Sequence, residues 1–207
     1  GAALRHFEDH REWREARPAG QVALVEDYSE ARLSAGLFDM MAAKHVPVFS
    51  APAGSSPGNA RIVVNPENKT VASSGAAVID GPPPSGKAAQ GEAEFVFDPT
   101  DTRVDMVWQR VSAAMGRQNL GARLFNVASM LSNVLELRGE RQLVLHLVNY
   151  SDYPASGITA RVVGNYRRAR LYRPGEAPVD LEVEKIEDGS GFSIDQRITT
   201  IATVVLE

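Results

Sequence analysis

The sequence lacks cysteine, which excludes disulfide bonds, cysteine nucleophiles and thiolate metal sites. It has no apolar run near the roughly 18 to 20 residues that a membrane-spanning helix needs, and no basic start followed by an apolar core. Its 22 basic residues are scattered among 26 acidic ones, so no basic stripe for nucleic acid is present. We therefore expect neither a membrane nor a nucleic-acid partner. The compartment stays open between cytoplasm and export.

The composition is that of an ordinary globular chain, with 43% hydrophobic and 23% charged residues among 207. This length allows one large domain or two small ones. Gly1 in place of a starting methionine is consistent with a fragment excised from a longer polypeptide, or with ordinary processing.

Strand and helix patterns alternate in the N-terminal part of the chain. The apolar run 21–25, bounded by Glu26 and Asp27, is typical of a strand buried on both faces. An amphipathic helix and a second strand follow it, an order that predicts a right-handed parallel crossover. The predicted elements are helices over 4–16 and 29–44 and strands over 21–25, 46–49, 61–64 and 76–79.

A stretch rich in proline and glycine, 81–90, predicts a linker between two domains, 1–90 and 91–207. After it we expect a short strand over 95–97 and a helix over 102–118. The apolar period then changes to two, which predicts a hairpin of strands 131–137 and 143–148 around a turn at 138–140. Further strands are predicted over 158–163, 169–172, 179–183, 192–194 and 200–206. The fold class is therefore α/β plus all-β: a small flavodoxin-like parallel sheet followed by an antiparallel β-sandwich.

The segment from Gly81 to Lys87 has the glycine and lysine spacing of a phosphate-binding loop. Such a loop aims successive backbone N–H groups at phosphate oxygens, but three of its residues here are prolines, which have none. Ala88 also replaces the hydroxyl that would hold magnesium. A proline-stiffened linker is the favoured interpretation, and no cofactor is predicted.

His6 and His10 stand four residues apart on the first predicted helix, a spacing that can bind zinc. The catalytic zinc motif needs a glutamate directly after the first histidine, where this chain has Phe7, so a solvated helix face is favoured. His45 and His146 are assigned to packing or hydrogen bonding rather than to catalysis. No metal site is predicted.

Ligands of parallel sheets collect beyond the carboxyl ends of the strands, which selects Glu26, Asp27, Ser50 and Asp80. Glu26, Asp27 and Asp80 are the candidate ligand-binding residues there, against the alternative that they begin loops or cap helices. A small independent hydrolase working at these three carboxylates is one hypothesis.

Glycoside hydrolysis needs two carboxyl groups across the scissile bond, on a scaffold that usually takes about 250 residues in a barrel. We therefore predict no catalytic residue. Tyr150 and Tyr153, near strand ends of the sandwich, are candidates for stacking on sugar rings, with edge packing as the alternative. Tyr166 and Tyr172 lie in similar positions.

The segment 143–151, Leu-Val-Leu-His-Leu-Val-Asn-Tyr-Ser, with the strand before it and the tail ending at 201–206, resembles the C-terminal β-sandwich of bacterial glycoside hydrolases. The α/β part is similar to the amidotransferase-like domain that follows the barrel in β-galactosidase-type enzymes, where it often mediates trimerisation. The catalytic residues of that family lie in the barrel, so the resemblance transfers none to this chain. It implies a non-catalytic accessory module that packs against a catalytic barrel or a neighbouring subunit. A carbohydrate-binding sandwich is the alternative.

Overall fold

The computed structural model describes residues 1–19, 22–26, 31–58, 60–66, 75–81, 102–116, 121–137, 142–187 and 189–207. In chain order its elements are α1 (Ala2–Asp9), a 3-10 helix (Arg11–Glu15), β1 (Arg17–Pro18), β2 (Val22–Glu26), α2 (Ala31–Ala43), β3 (Val48–Pro52), β4 (Ile62–Asn65), β5 (Ala77–Asp80), α3 (Thr102–Met115), β6 (Ala122–Phe125), β7 (Met130–Glu136), β8 (Leu143–Asn149), β9 (Ile158–Val163), β10 (Ala169–Tyr172), β11 (Val179–Leu181), β12 (Val183–Ile186), β13 (Gly189–Ile194) and β14 (Ile201–Leu206).

These elements form two units. The sandwich unit comprises Gly1–Gly20, His45–Pro47 and Gln118–Glu207, and the parallel-sheet unit comprises Gln21–Lys44 and Val48–Arg117. The predicted division separates 1–90 from 91–207. In the structure, residues 1–20 belong instead to the sandwich unit, and the parallel-sheet unit extends to Arg117. The N-terminal helical segment lies with the sandwich because its aromatic side chains pack on a sandwich strand. Helix α3 lies with the parallel sheet because its apolar stripe packs on α2, β4 and β5.

The parallel-sheet unit has the strand order β3-β2-β4-β5, and every neighbouring pair is parallel. The residues of β4 are all buried, as expected for short apolar strands with both faces covered. Helices α2 and α3 pack against each other. They approach closely at Gly36, where a Cβ atom would stand 3.0 Å from Val104 Cγ2.

The sandwich unit has two antiparallel sheets, of order β1-β7-β8-β14-β10-β11 and β12-β13-β9-β6. Alternate residues of their strands form one buried apolar core, as period-two patterns require. The predicted hairpin is β7 and β8, with Val134 opposite Leu145. The predicted fold class, a flavodoxin-like parallel sheet followed by a β-sandwich, is confirmed.

Two predicted elements are interrupted. The strand predicted over 179–183 is β11 and β12, which belong to different sheets and are separated at Glu182. Val179 and Val183 nevertheless pack against the same core, so the alternation persists while the chain crosses between sheets. The first predicted helix is α1 followed by a 3-10 helix, with the break at His10.

Several predictions lie outside the described residues: most of the linker over 81–90, the strand over 95–97 and the turn at 138–140. Within the described part of the chain, no helix combines the length and apolar character that crossing a bilayer requires.

Candidate functional site

The carboxyl edge of the parallel sheet holds part of the predicted acidic site. β2 ends at Glu26 and β5 ends at Asp80, with β4 between them. The carboxylate of Asp80 accepts a hydrogen bond from Asn65 Nδ2 at 3.2 Å, and its backbone carbonyl accepts one from the guanidinium of Arg110. Asp80 therefore ties its strand end to β4 and α3. Asp27 and the side chain of Glu26 lie outside the described residues.

The first glycine of the phosphate-loop spacing has a structural explanation. Gly81 donates a backbone hydrogen bond to the carbonyl of Asn65, and a Cβ at this position would stand 1.9 Å from the carbonyl oxygen of Pro66. Glycine is required here because two backbones approach closely. The remainder of the segment, up to Lys87, lies outside the described residues.

The two candidate tyrosines lie in a loop that Asn149 organises. The buried amide of Asn149 donates from Nδ2 to the carbonyls of Tyr153, Ile198 and Thr199, at 2.8, 3.0 and 3.3 Å. Its Oδ1 accepts hydrogen bonds from Ser129 Oγ and from the backbone N–H of Ser151. These bonds satisfy the polar atoms of a buried side chain and hold the loop on its neighbours.

Both tyrosines of this loop project into solvent. Tyr150 is 62% exposed and Tyr153 is 81% exposed. The Tyr150 hydroxyl donates to the carbonyl of Ala128 at 2.7 Å, which fixes its ring at one edge. The structure therefore places Tyr150 and Tyr153 together on one surface, far along the chain from the acidic candidates.

The N-terminal helical segment covers part of the outer face of the six-stranded sheet. On that face, cross-strand partners of β7, β8 and β14 form rows, the first of which is Leu135, Val144 and Val205. Trp13 packs on Val144 and Val205 and is almost completely buried. The apolar side of this segment is thus a docking face, and its solvated-face interpretation is corrected at His6, which is 6% exposed.

The second row, Asn133, His146 and Thr203, carries a group that we call the histidine–threonine clamp: His6, His146 and Thr203. The fully buried hydroxyl of Thr203 is 3.2 Å from His6 Nε2 and 2.9 Å from His146 Nδ1. Burial lowers the pKa of His146 to about 4, with a smaller effect of His6. Burial and the neighbouring His10 lower the pKa of His6, and Asp9 opposes this shift.

The other member of the predicted histidine pair stacks on an indole. The rings of His10 and Trp13 are 4.1 Å apart between centroids and nearly parallel, and His10 Nδ1 is 3.3 Å from Glu12. His6 and His10 lie 5.6 Å apart between ring centroids. Among the described residues, no group of three or more metal-binding side chains is close enough to hold an ion. The pair is part of an aromatic cluster between α1 and the sheet.

The third row is left uncovered by the helical segment. We call it the apolar strip: Leu131, Val148 and Ile201, which are cross-strand partners. Leu131 is 40% exposed and Val148 is 41% exposed, whereas Ile201 is half-buried. Adjacent exposed apolar side chains on a regular sheet face are typical of a surface that contacts another polypeptide.

A shallow groove of 590 Å³ lies on the antiparallel four-stranded sheet of the sandwich unit. Gly191 lies in its floor, where a Cβ would be in ordinary van der Waals contact with Ile186 Cγ2 at 3.5 Å. The groove is predominantly acidic, and one of its carboxylates is already paired: Asp180 accepts a hydrogen bond from Arg170 Nε at 2.6 Å, which lowers the pKa of Asp180. The charged side chains that line it are Arg161, Asp180, Glu182, Glu184, Glu187 and Asp195.

A solved structure shares this combination of a parallel sheet in flavodoxin-like order and an antiparallel sandwich. The protein is similar to α-L-fucosidase isoenzyme 2 from Paenibacillus thiaminolyticus, with a TM-score of 0.68 and 10% identity. The match covers 99% of this chain and 51% of the fucosidase chain. The chain therefore spans about half the length of that fucosidase chain. At this identity the likeness establishes the fold.

A second solved structure is a cycloisomaltooligosaccharide glucanotransferase from Paenibacillus sp., complexed with cycloisomaltoheptaose. The match covers 87% of this chain and 27% of that chain at 10% identity, with a TM-score of 0.35. That score is too low to support an argument. No protein-family model and no curated protein matches the sequence.

Sequence reasoning did not identify the clamp or the apolar strip. His6 and Thr203 are separated by 197 positions, so no local pattern joins them. The strip has the period-two pattern of an ordinary strand. Val148 differs from the buried Val144 only because the helical segment covers Val144 and leaves Val148 partly exposed. The segment 143–151 was the available signal, because His146 and Asn149 both belong to it.

Proposed function

We propose that this chain is a non-catalytic accessory module of a glycoside hydrolase and packs against the domain that carries the catalytic groups. The observation that supports this is the match of nearly the entire chain to about half of an α-L-fucosidase chain. In such an arrangement the remaining half supplies the reacting carboxylates. A kinship with β-galactosidase-type enzymes in particular is part of the proposal and depends on the segment 143–151.

The apolar strip is the surface that we assign to this packing. Its rows continue the face on which α1 already docks, so a second apolar element can lie beside α1 without rearranging the sheet. Covering three aliphatic side chains that are now partly in water provides a hydrophobic driving force. We assign the position to a catalytic domain. A neighbouring subunit is the alternative occupant, and measurement of the mass in solution separates the two.

The test uses two aspartate substitutions on the same sheet face. Val148→Asp places a charge in the strip, whereas Asn133→Asp places one in the adjacent row, at an exposed residue of β7. In the polypeptide that joins this chain to its catalytic domain, we expect Val148→Asp to lower the melting temperature and the retained glycosidase activity. Asn133→Asp should leave both near the parent values.

Assays of the isolated chain complete this test. We expect no turnover of a panel of chromogenic fucosides and galactosides. Turnover that is lost in Asp80→Asn would contradict the accessory role and support a small independent hydrolase at Glu26, Asp27 and Asp80. Equal effects of the two aspartate substitutions on the joined polypeptide would contradict the assignment of the strip.

Carbohydrate binding at Tyr150 and Tyr153 is a second candidate function, favoured by the exposure of both rings in a loop that Asn149 holds in place. Exposed aromatic rings can stack on sugar rings. Titration with oligosaccharides should then give a saturable change in intrinsic fluorescence that Tyr153→Ala abolishes. Tyr172→Phe serves as the control, since Tyr172 packs beneath Trp13. A fluorescence change that does not saturate with increasing oligosaccharide concentration would exclude this site.

A further inference from the structure

The contact between α1 and the sheet depends on one shared hydroxyl. Thr203 Oγ1 lies within hydrogen-bond distance of one nitrogen of His6 and one of His146, and it is completely buried. A hydroxyl has one hydrogen to donate, so in a neutral pair it donates to one imidazole and accepts an N–H from the other. The clamp is therefore fully hydrogen-bonded when both histidines are neutral.

We propose that the histidine–threonine clamp is an acid-sensitive latch, in which protonation of His6 and His146 releases the N-terminal helical segment while the two sheets of the sandwich stay folded. One added proton still leaves two hydrogen bonds, since the charged ring donates and the hydroxyl donates to the neutral ring. A second proton makes both nitrogens donors and leaves the threonine hydrogen without its acceptor. Two buried like charges then also repel each other.

The surroundings of the latch supply no net charge to offset such protonation. The charged and titratable groups that line the cavity beside His6 are Arg5, Asp9 and His10 from α1, and Tyr172, Arg173 and Glu176 from the β10 side. Arg173 is paired with Glu176 at 2.6 Å. From the helical segment, the neighbours of His146 are the rings of Phe7 and Trp13, and in the sheet Asn133 lies opposite it on β7. Two arginines and two carboxylates balance, so the histidines themselves determine the response to pH.

Water can reach the His6 side of the latch without prior opening. A cavity of 360 Å³ beside α1 is lined by His6 and His10 as well as by the charged groups named above. Burial lowers the pKa of both clamp histidines, which means that the docked segment resists protonation and the released segment accepts it. Release therefore follows acidification, between the ordinary histidine value near 6.5 and about 4.

Trp13 is a built-in reporter of release. The sequence has two tryptophans, Trp13 in the helical segment and Trp108 on α3, so Trp108→Phe leaves Trp13 as the single emitter. On titration from pH 7.5 to 4.5 we expect its emission to shift to longer wavelength and its quenching by acrylamide to rise. Far-UV circular dichroism should keep the strand signal through this range.

Variants in the Trp108→Phe background assign the transition. His6→Gln with His146→Asn keeps a side-chain amide near each hydrogen-bonding nitrogen but removes both titrating rings, so the acid shift should be lost. His45→Asn is the matched control: it removes a histidine whose pKa burial also lowers, at a positive φ that asparagine tolerates, and should leave the shift unchanged. His10→Asn removes the imidazole stacked on Trp13, and the wavelength shift should persist.

Thr203→Val tests the hydroxyl without adding a charge. Valine keeps the shape of threonine in the strand, so we expect a folded sandwich in which Trp13 is already more accessible to acrylamide at pH 7.5. The proposal is overturned if the double histidine variant titrates like its parent, or if Thr203→Val leaves Trp13 protected. It is also overturned if the emission shift coincides with loss of the strand signal, because that result is global acid unfolding.

Discussion

The two units use their surfaces differently. In the parallel-sheet unit, short strands such as β4 are buried on both faces, and α2 and α3 pack on the sheet and on each other. In the sandwich unit, one face of the six-stranded sheet forms the core and the other is divided among the helical segment, the clamp and the apolar strip. The four histidines of the chain also all belong to this unit. The clamp and the apolar strip therefore both belong to the sandwich unit.

The largest expected effect tests whether the two units are energetically separate. Leu145→Ala removes a fully buried side chain from the sandwich core, and Leu37→Ala removes one from α2. Each should lower the free energy of unfolding of its own unit by about 2–5 kcal/mol, because a cavity remains. Urea denaturation can follow the sandwich through Trp13 and the other unit through Trp108, each as the single tryptophan. Equal shifts of both reporters in both variants would mean that the units unfold together.

The two units differ in histidine content, and this difference predicts how the stability of the sandwich depends on pH. Because the folded sandwich lowers the pKa of His6 and His146, it binds fewer protons than the unfolded chain, and its stability falls as the pH drops below about 6.5. For the half-buried His146, a shift from 6.5 to about 4 corresponds to at most about 3 kcal/mol. Urea denaturation at pH 7.5, 6 and 5 should show this loss through Trp13. His146→Asn should flatten the dependence, and an unchanged slope would contradict the assignment.

The smallest effect concerns the helix pair of the parallel-sheet unit. Gly36→Leu inserts a side chain where a Cβ alone would be 3.0 Å from Val104 Cγ2, so the helices must separate or repack. We expect a loss of about 1–3 kcal/mol, reported by Trp108. Adding Val104→Ala should restore part of it. If Gly36→Leu alone does not lower the free energy of unfolding, the helices do not pack closely at this position.

Local patterns predicted most of the fold. The run 22–26 is typical of a buried strand because its first four residues are all apolar. The hairpin of β7 and β8 follows from the alternation of apolar and polar residues on either side of a turn. The break at Glu182 was not predictable in this way, because the alternation of Val179, Leu181 and Val183 continues across it. A change of sheet leaves the apolar period intact when both sheets bury the same core.

The candidate site was less accessible to sequence reasoning. Tyr150 and Tyr153 follow the end of β8, but their position depends on Asn149, whose partners Ile198 and Thr199 are about fifty residues away. His6 was judged by its spacing from His10, whereas its contact with Thr203 crosses nearly the entire chain. Side-chain chemistry assembled from distant strands has no signature in a local window.

The short strand β1 has a consequence for how the protein behaves at high concentration. Arg17 and Pro18 pair with Glu136 and Leu135 at the edge of the six-stranded sheet. Proline has no N–H to offer, and a charged neighbour disfavours the approach of another apolar strand. This dipeptide therefore terminates the hydrogen-bonded ladder where it pairs, and should discourage molecules from joining edge to edge into fibrils.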